Sequence, residues 1–244
     1  MNDPKNAEKK KPVLGILGGI GPLSSAYLYE LITSHTPAER DQDHIDVILC
    51  SRASTPDRTA FIIGKSKDDP SEILAGDAKK LVEFGATYLA IACNTAHYFY
   101  DKITSAVNVP VLNIMEETVQ FAFSLGVRKI GLMATEGTVE SGVYEKMCSR
   151  FGMECVCPGK YGQKKVTGII YDAVKKGRNV EMRDFFAVAD ELHAKGCEKV
   201  ILGYTELSLV KRSLSLDSYY LDALEVLACR AIEKAGKTPI GFSF

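Results

Sequence analysis

The stretch Gly85-Ala-Thr-Tyr-Leu-Ala-Ile-Ala-Cys93-Asn-Thr95 occurs a second time in this chain, as Gly196-Cys-Glu-Lys-Val-Ile-Leu-Gly-Tyr204-Thr-Glu206. In both copies a glycine precedes an apolar run of strand character, and a polar pair containing threonine follows the run. The first copy has Cys93 where the second has Tyr204. We expect these side chains to face each other across a cleft between two similar halves. That geometry suits moving a proton from one side of a carbon atom to the other.

A second pair of matching segments supports an internal duplication. The segment Leu14–Ser25 matches Ile130–Ser141, with glycines and a serine at equivalent positions. Both pairs of segments keep the same order and nearly the same spacing along the chain. A repeated unit of domain size therefore explains the likeness better than the general similarity of strand–turn–helix units.

Short apolar runs alternate with helical patterns along the whole chain. This alternation predicts an α/β fold with parallel sheets covered on both faces by helices. Ligands of such sheets bind beyond the carboxyl ends of the strands, where Cys93 and Tyr204 both lie. The predicted strands are Val13–Leu17, Ile45–Cys50, Tyr88–Ala92, Val109–Ile114, Ile130–Ala134, Met153–Cys157 and Lys199–Gly203.

The chain length suits two modest domains. Its 244 residues contain 46% hydrophobic and 25% charged residues, as in an ordinary globular protein. We expect a lysine-rich, disordered leader over residues 1–12, one domain over 13–113 plus 216–244, and a second domain over 114–215.

Composition argues against several classes of partner. Thirty basic and thirty-one acidic residues give a net charge of −1, so no basic surplus is available for nucleic acid. No apolar run approaches the roughly 20 residues of a membrane span. The cysteines are odd in number, and Cys155-Val-Cys157 is spaced too tightly for a usual zinc site. We therefore expect free thiols, no metal and a cytoplasmic location.

The segment Cys93-Asn94-Thr95-Ala96-His97 is the most specific motif. A cysteine at a strand end, before the first turn of a helix, lies where the helix dipole lowers the thiol pKa. Asn94 and Thr95 can donate hydrogen bonds to a carboxylate and to the charge of a developing enolate. His97, four residues after Cys93, could tune the thiol. The alternative is a buried cysteine with a purely structural role.

A glycine-rich turn and an arginine are the remaining candidates for binding a ligand. Gly18-Gly19-Ile20-Gly21-Pro22 lacks the spacing of a dinucleotide fingerprint and the lysine of a phosphate-binding loop. Its backbone, at Gly19 above all, could approach a carboxylate, or the turn could be structural. Arg58 can hold a carboxylate bidentately, with Arg52 as a rival and a solvated surface position as the alternative.

Taken together, these motifs resemble the aspartate/glutamate racemase family, and its aspartate racemase branch most closely. The resemblance runs in order from about Val13 to the C-terminal helix. It implies two pseudo-symmetric α/β halves in three layers, each with a four-stranded parallel sheet, and an active site in the cleft between them. It also implies homodimers and a reaction without pyridoxal phosphate, other cofactors or metal. The segments that carry it are Leu17-Gly-Gly-Ile-Gly-Pro-Leu, Pro56-Asp-Arg-Thr-Ala, Cys93-Asn-Thr-Ala-His, Glu116-Glu-Thr, Ala134-Thr-Glu-Gly-Thr, Ser141-Gly-Val-Tyr-Glu-Lys and Gly203-Tyr-Thr-Glu-Leu.

The resemblance assigns roles to individual residues. It makes Cys93 one of two acid/base groups on opposite faces of a substrate, and its second cysteine falls at Tyr204. It places a carboxylate-binding arginine at Arg58 and a substrate-contacting lysine at Lys175. It lines the substrate carboxylate site with Asn94, Thr95 and Thr205.

Tyrosine at position 204 leaves three interpretations open. The phenol has a pKa of about 10 against about 8.5 for a thiol, so neutral Tyr204 could donate a proton but would be a poor base. The chain could be a racemase that uses Tyr204, a one-thiol enzyme, or a homologue that only binds a small dicarboxylate. Two cations, Arg58 and Lys175, favour aspartate or a related acidic amino acid as the ligand.

Overall fold

The structure, a computed structural model, describes residues 11–173 and 182–244 and contains two four-stranded sheets with parallel strands throughout. The first sheet has the order β2-β1-β3-β4 and the second the order β6-β5-β7-β8. The predicted α/β fold with two similar sheets is therefore confirmed. The strands are β1 (Val13–Gly18), β2 (Asp46–Ser51), β3 (Tyr88–Ile91), β4 (Val111–Leu112), β5 (Lys129–Met133), β6 (Glu154–Val156), β7 (Lys199–Leu202) and β8 (Tyr220–Asp222).

Strand register agrees with the sequence duplication. Gly15 lies opposite Leu89 in the first sheet, and Gly131 lies opposite Val200 in the second. These four residues are the ones that the two sequence matches align with each other. The two halves therefore repeat both the strand order and the pairing of individual residues.

Helices cover both faces of the sheets, as the near-continuous apolar strands predict. Short 3-10 segments at Asp41–Asp43 and Thr95–Phe99 and a π-helical turn at Ile169–Ala173 complete the described elements. The α-helices in the described residues are α1 (Pro22–His35), α2 (Arg58–Ile62), α3 (Ser71–Glu83), α4 (Tyr100–Thr104), α5 (Ile114–Ser124), α6 (Glu136–Glu140), α7 (Val143–Arg150), α8 (Lys160–Gly168), α9 (Met182–Ala194), α10 (Thr205–Leu214) and α11 (Ala223–Lys234).

One hydrophobic core joins the two halves. It contains Leu14 and Ile16 of the first sheet, Ile130 and Leu132 of the second, and the buried face of α11. Helix α11 packs on α1 and on α5, and so contacts helices from both parts of the chain. This shared core fixes the position of one sheet relative to the other.

The sequence prediction needs two corrections in the C-terminal part of the chain. The sequence pattern does not predict strand β8, which pairs with β7 in the second sheet, whereas the sequence places residues 216–244 in the first domain. Helix α10 was also missed. The remaining domain boundaries stay a prediction, and residues 1–10 of the expected leader lie outside the described residues.

The cysteines are thiols, as expected. All seven lie in the described residues, and none of them forms a disulfide. Side-chain hydrogen bonds link Cys155 to both Cys148 and Cys157, while Cys197 lies apart in another core cluster. Within residues 11–173 and 182–244, no helix is both long enough and apolar enough to cross a bilayer.

A carboxyl group is buried at the start of α11. Asp222 caps this helix: its Oδ1 accepts hydrogen bonds from the Leu224 amide (2.8 Å) and the Ser208 hydroxyl (2.7 Å). Its Oδ2 has no hydrogen-bond partner among the described residues. Burial, together with the nearby Glu225 carboxylate, raises the pKa of Asp222 to about 7. The charge of Lys211, which pairs with Glu225 at 2.7 Å, offsets only part of this rise.

We predict that Asp222→Asn changes how stability depends on pH. In the unfolded chain Asp222 loses its proton near pH 3.8, whereas in the folded protein it keeps the proton up to about pH 7. The wild type therefore loses stability from this group as the pH rises between these values. Asparagine can accept the same two hydrogen bonds without charge. The variant's free energy of unfolding in urea, relative to wild type, should rise by about 2–3 kcal/mol between pH 5 and pH 8.

The matched control is Asp190→Asn on the exposed face of α9. This control removes one carboxylate that is exposed to solvent, so it measures the effect of losing a surface charge alone. A difference for Asp222→Asn that changes with pH no more than that of the control would show that Asp222 does not hold a proton in the folded state.

Candidate functional site

The two residues at the duplicated position follow equivalent strands. Cys93 lies two residues beyond the end of β3, and Tyr204 is the N-cap of α10, directly after the loop that follows β7. Strands β3 and β7 occupy the third position of their sheets. Both side chains are almost completely buried, with Cys93 0% and Tyr204 3% exposed.

Tyr204 lies close to Cys93 and is held as a neutral phenol. Burial raises the pKa of Tyr204 well above its usual value, and the nearby Glu206 and Cys93 raise it further. The hydroxyl of Tyr204 donates a hydrogen bond to Glu206 Oε1 at 3.0 Å. In this environment Tyr204 can act as a proton donor but is a poor base.

The Arg58 guanidinium lies near both Cys93 and Tyr204. Its guanidinium donates to the carbonyl oxygens of Pro56 (3.0 Å) and Ile20 (3.3 Å), and it hydrogen-bonds the side chain of Cys93. Burial works to lower the pKa of Arg58, but Cys93 and other neighbours, Tyr204 among them, bring the pKa above its usual value. Its buried Nε has no hydrogen-bond partner among the described residues.

The rival arginine is engaged elsewhere. Arg52 forms two hydrogen bonds with the buried carboxylate of Asp77, one of them from Nη2 at 2.6 Å. This pairing occupies the Nε–Nη2 edge of the Arg52 guanidinium and neutralises its charge with Asp77, and Arg52 is not among the described residues that line the cavity next to Arg58. The geometry therefore supports Arg58 over Arg52 as the carboxylate-binding residue.

Asn94 has a free donor in a buried position. Its Oδ1 accepts a hydrogen bond from the hydroxyl of Tyr144 at 2.5 Å, which fixes the orientation of the amide. Its Nδ2 is buried and has no partner in the described part of the chain. Buried donors in native proteins are usually paired, so the amide is available to a ligand acceptor.

The two threonines contact different groups. Thr95 Oγ1 lies 3.2 Å from Thr135 Oγ1 and 3.1 Å from Thr138 Oγ1, so that this hydroxyl cluster joins the two halves. Thr205 instead donates to Glu206 Oε2 at 3.0 Å. Of the two, only Thr95 bridges the cleft.

The spacing of four residues between Cys93 and His97 suggests that His97 tunes the thiol, but the structure contradicts this expectation. Its Nε2 accepts from the Ile114 amide (3.1 Å), so Nδ1 carries the proton and donates to the carbonyl of Cys93 (2.8 Å). Burial lowers the pKa of His97 to about 4, so the ring is neutral. Both ring nitrogens bind backbone groups, and the residue supports the loop rather than the sulfur. The segment after Cys93 is also a 3-10 turn and not the start of a long α-helix.

The glycine-rich turn closes one side of the site. Gly19 has φ +81°, and a Cβ there would lie 2.1 Å from the Arg52 amide nitrogen. The Gly19 amide donates a hydrogen bond to Ser25 Oγ at 3.0 Å. Because this N–H is already engaged, a ligand would contact the other backbone atoms of Gly19. Gly19, Arg58 and Glu206 border a cavity of about 480 Å³. Lys175, the expected second cation, lies outside the described residues.

Two residues near the site received no role from the sequence. Glu206 belongs to the repeated segment, and its carboxylate accepts hydrogen bonds from Tyr204 and Thr205. Tyr171, on the π-helical turn, hydrogen-bonds Thr59 and lies close to Arg58 and Cys93. Nothing in the local sequence marks Tyr171, because only the fold brings it to this place.

The site has no metal-binding geometry in the part of the chain that the structure describes. No three His, Cys, Asp or Glu side chains converge there in a way that could hold an ion. Among the described residues, the charged groups that border the cavity are the Arg58 guanidinium and the carboxylates of Asp57 and Glu206.

We predict that Gly19→Ala destabilises the protein more than a glycine substitution that changes backbone strain alone. A positive φ costs an alanine roughly 1–2 kcal/mol, and the overlap with Arg52 adds to this. The free energy of unfolding in urea should therefore fall by about 3 kcal/mol or more.

Gly64→Ala is the control, since φ is +71° there and no atom lies within 4 Å of an added Cβ. It should cost only the conformational part, roughly 1–2 kcal/mol. Equal losses for the two variants would contradict a close approach of the turn to Arg52.

Solved structures with the same architecture include racemases. The aspartate racemase of Picrophilus torridus superposes with a TM-score of 0.79 and 26% sequence identity, covering 94% of this chain and 96% of that one. An aspartate racemase homologue from Pyrococcus horikoshii OT3 gives a TM-score of 0.74 and 26% identity, covering 93% and 99%.

Sequence relatives agree with these structures. The broad specificity amino-acid racemase RacX of Bacillus subtilis (strain 168) is 29% identical over 150 residues, which are 59% of this chain and 63% of RacX. The match thus spans less than two thirds of that relative. The sequence model of the Asp/Glu/hydantoin racemase family matches residues 17–231. The chain therefore belongs to the Asp/Glu/hydantoin racemase family.

Proposed function

We propose that the protein is a cofactor-independent amino-acid racemase in which Cys93 removes the α-proton of aspartate, or of a related acidic amino acid, and Tyr204 gives a proton to the opposite face of the α-carbon. One observation carries the proposal: Arg58 faces both Cys93 and Tyr204, which follow equivalent strands of the two halves. A carboxylate held by Arg58 would have its α-carbon beside both groups.

The reaction would begin at Cys93. Its thiolate takes the α-proton, and the electrons of the broken C–H bond pass into the carboxylate, which becomes an enolate-like dianion. Arg58 and the free amide of Asn94 stabilise that charge as it develops. Tyr204 then gives its hydroxyl proton to the opposite face of the carbon, which forms the other enantiomer. Cys93 is left as a thiol and Tyr204 as a phenolate.

The reverse direction uses the same two groups with their proton states exchanged. Because the equilibrium constant of a racemisation is one, kcat/KM is equal in both directions. The form with a Tyr204 phenolate is rare, since burial and Glu206 raise the pKa of this phenol. We therefore infer a slow enzyme, limited by the step that forms or consumes the phenolate.

The choice of an acidic amino acid rests on charge. Arg58 can bind one carboxylate, and Lys175 remains the proposed partner of a second. The names of the relatives, which mention aspartate and broad specificity, fit this class of substrate. A homodimer in the cytoplasm is the assembly and location that we propose from the family.

A second candidate is a homologue that binds a dicarboxylate without racemising it. The observation in its favour is that a phenol, larger and less acidic than a thiol, fills the place of the second acid/base group and is 3% exposed. This candidate shares the fold and the carboxylate site with the first. It differs because Tyr204 does not donate a proton during turnover, so that one face of the α-carbon has no proton donor.

Incubation with L-aspartate in deuterated water tests the proposal. We predict that D-aspartate appears and carries deuterium at the α-carbon, as measured by chiral chromatography with mass spectrometry. Cys93→Ser should lower the rate by about 10²–10⁴-fold, because a hydroxyl is not ionised at neutral pH. The control Cys197→Ser changes a buried thiol in another core cluster and should keep the rate.

Tyr204 variants separate the candidates. Tyr204→Phe should stop formation of D-aspartate, and Tyr204→Cys should increase it, since a thiol restores a group of lower pKa. Deuterium exchange with full retention of configuration in the wild type would mean that only Cys93 works. No exchange at all, with aspartate bound, would favour the dicarboxylate-binding homologue.

A further inference from the structure

Three of the seven thiols of this chain form one cluster in the second half. Cys148 lies on α7, Cys155 lies on β6, and Cys157 follows directly after the last residue of that strand. Side-chain hydrogen bonds join Cys155 to both of the others. The thiol of Cys157 also donates a hydrogen bond to Glu145 Oε1 at 3.2 Å. None of these groups takes part in the proposed racemisation, so the cluster calls for a chemistry of its own.

The turn between α7 and β6 places the first two thiols beside each other. The carbonyl oxygen of Cys148 accepts hydrogen bonds from the amides of Phe151 (3.0 Å) and Met153 (2.9 Å). Gly152 has φ +66°, the left-handed conformation that commonly ends a helix. The chain therefore passes from α7 directly into β6, and Cys155 comes to lie against Cys148.

The two thiols of this pair differ in access and in acidity. Cys148 is 0% exposed, whereas Cys155 is partly exposed on β6, which is the edge strand of its sheet. The hydrogen bond from Cys155 lowers the pKa of the Cys148 thiol, although burial opposes this shift, and the same bond raises the pKa of Cys155. An oxidant in solvent therefore meets Cys155 first, and the buried Cys148 sulfur is the nucleophile next to it.

The third thiol is a poorer partner for Cys155. Residues two apart in an extended chain have Cα atoms about 6.6 Å apart, close to the upper limit of about 6.8 Å for a disulfide. Cys157 is also hydrogen-bonded to Glu145. A metal site is not an alternative, because no three of the described His, Cys, Asp or Glu side chains converge in a way that could hold an ion.

We propose that Cys148 and Cys155 are a modification site at which a peroxide produces a reversible disulfide between α7 and β6. Cys155 attacks one oxygen of hydrogen peroxide, so that an S–O bond forms, the O–O bond breaks and one water leaves. Cys148 then attacks the Cys155 sulfur, the S–S bond forms, and the oxygen leaves as a second water. Two thiols thus lose two electrons and two protons, which reduce one peroxide to two waters.

The position of the disulfide connects it with the candidate site. Tyr144 lies one turn before Cys148 on α7, and its hydroxyl donates to Asn94 Oδ1 at 2.5 Å. The cross-link therefore forms one helical turn away from the residue that orients the Asn94 amide. The oxidation itself is independent of the proposed racemase activity.

Peptide mapping after peroxide treatment tests the pairing. Trypsin cuts after Lys146, Arg150 and Lys160, which places the two cysteines in the separate peptides 147–150 and 151–160. The folded protein is treated with hydrogen peroxide, the remaining thiols are blocked with iodoacetamide, and the unreduced digest is analysed by mass spectrometry. We predict that the two peptides appear joined by one disulfide and that dithiothreitol separates them.

The joined peptides should be at least about tenfold more abundant than a disulfide loop within peptide 151–160, because a strained disulfide is reopened by thiol exchange. Cys157→Ser is the matched control and should keep the cross-link, since it removes the other neighbour of Cys155. Cys148→Ser should instead leave a sulfenic acid on Cys155 that dimedone labels, and the wild type should show at most a trace of this label.

Several results would overturn the assignment. One is a main product with both sulfurs in peptide 151–160. Another is complete alkylation of Cys148 and Cys155 under peroxide that oxidises Cys50, a partly exposed thiol on β2 of the other sheet. Loss of the cross-link in Cys157→Ser would show that Cys157, and not Cys155, meets the oxidant. None of these measurements depends on turnover, so a failure of the racemase proposal would leave this inference standing.

Discussion

A buried guanidinium lies at the candidate site between the two halves of this protein. Arg58 donates to backbone oxygens at Pro56 and Ile20 and faces Cys93 from one sheet and Tyr204 from the other. A cation with so little exposure is tolerated only where fixed dipoles and anionic partners replace water. The turns around it, including the glycine-rich one, are therefore constrained by the position of one charge.

This electrostatic arrangement makes the site chemically asymmetric. The pocket that buries Tyr204 beside Glu206 keeps the phenol protonated and opposes the phenolate that a base would need, because burial and the nearby carboxylate raise the pKa of Tyr204. Cys93 is equally buried, but its side chain hydrogen-bonds the Arg58 guanidinium and not a carboxylate. The two halves thus place two proton donors of different acidity at one site. Tyr204, the weaker acid, donates a hydrogen bond to Glu206, which lines the cavity.

Sequence alone predicted the features that depend on repetition, and it missed those that depend on distant contacts. Gly15 and Gly131 mark the same register in both sheets, so matching segments were enough to align the halves. Strand Tyr220–Asp222 is too short to show a pattern, and only pairing with the second sheet defines it. The contacts of Tyr171 and His97 also could not be predicted from the sequence. Their partners are a distant threonine and two backbone groups, which no spacing along the chain reveals.

The central claim is that Cys93 and Tyr204 act on opposite faces of one carbon atom of a small acid. A crystal structure with aspartate bound tests it most directly. The account predicts an α-carbon between the Cys93 sulfur and the Tyr204 oxygen, within about 3–4 Å of each, with the carboxylate on Arg58. An aspartate whose α-carbon is out of reach of either atom, or whose carboxylate lies away from Arg58, would contradict the account.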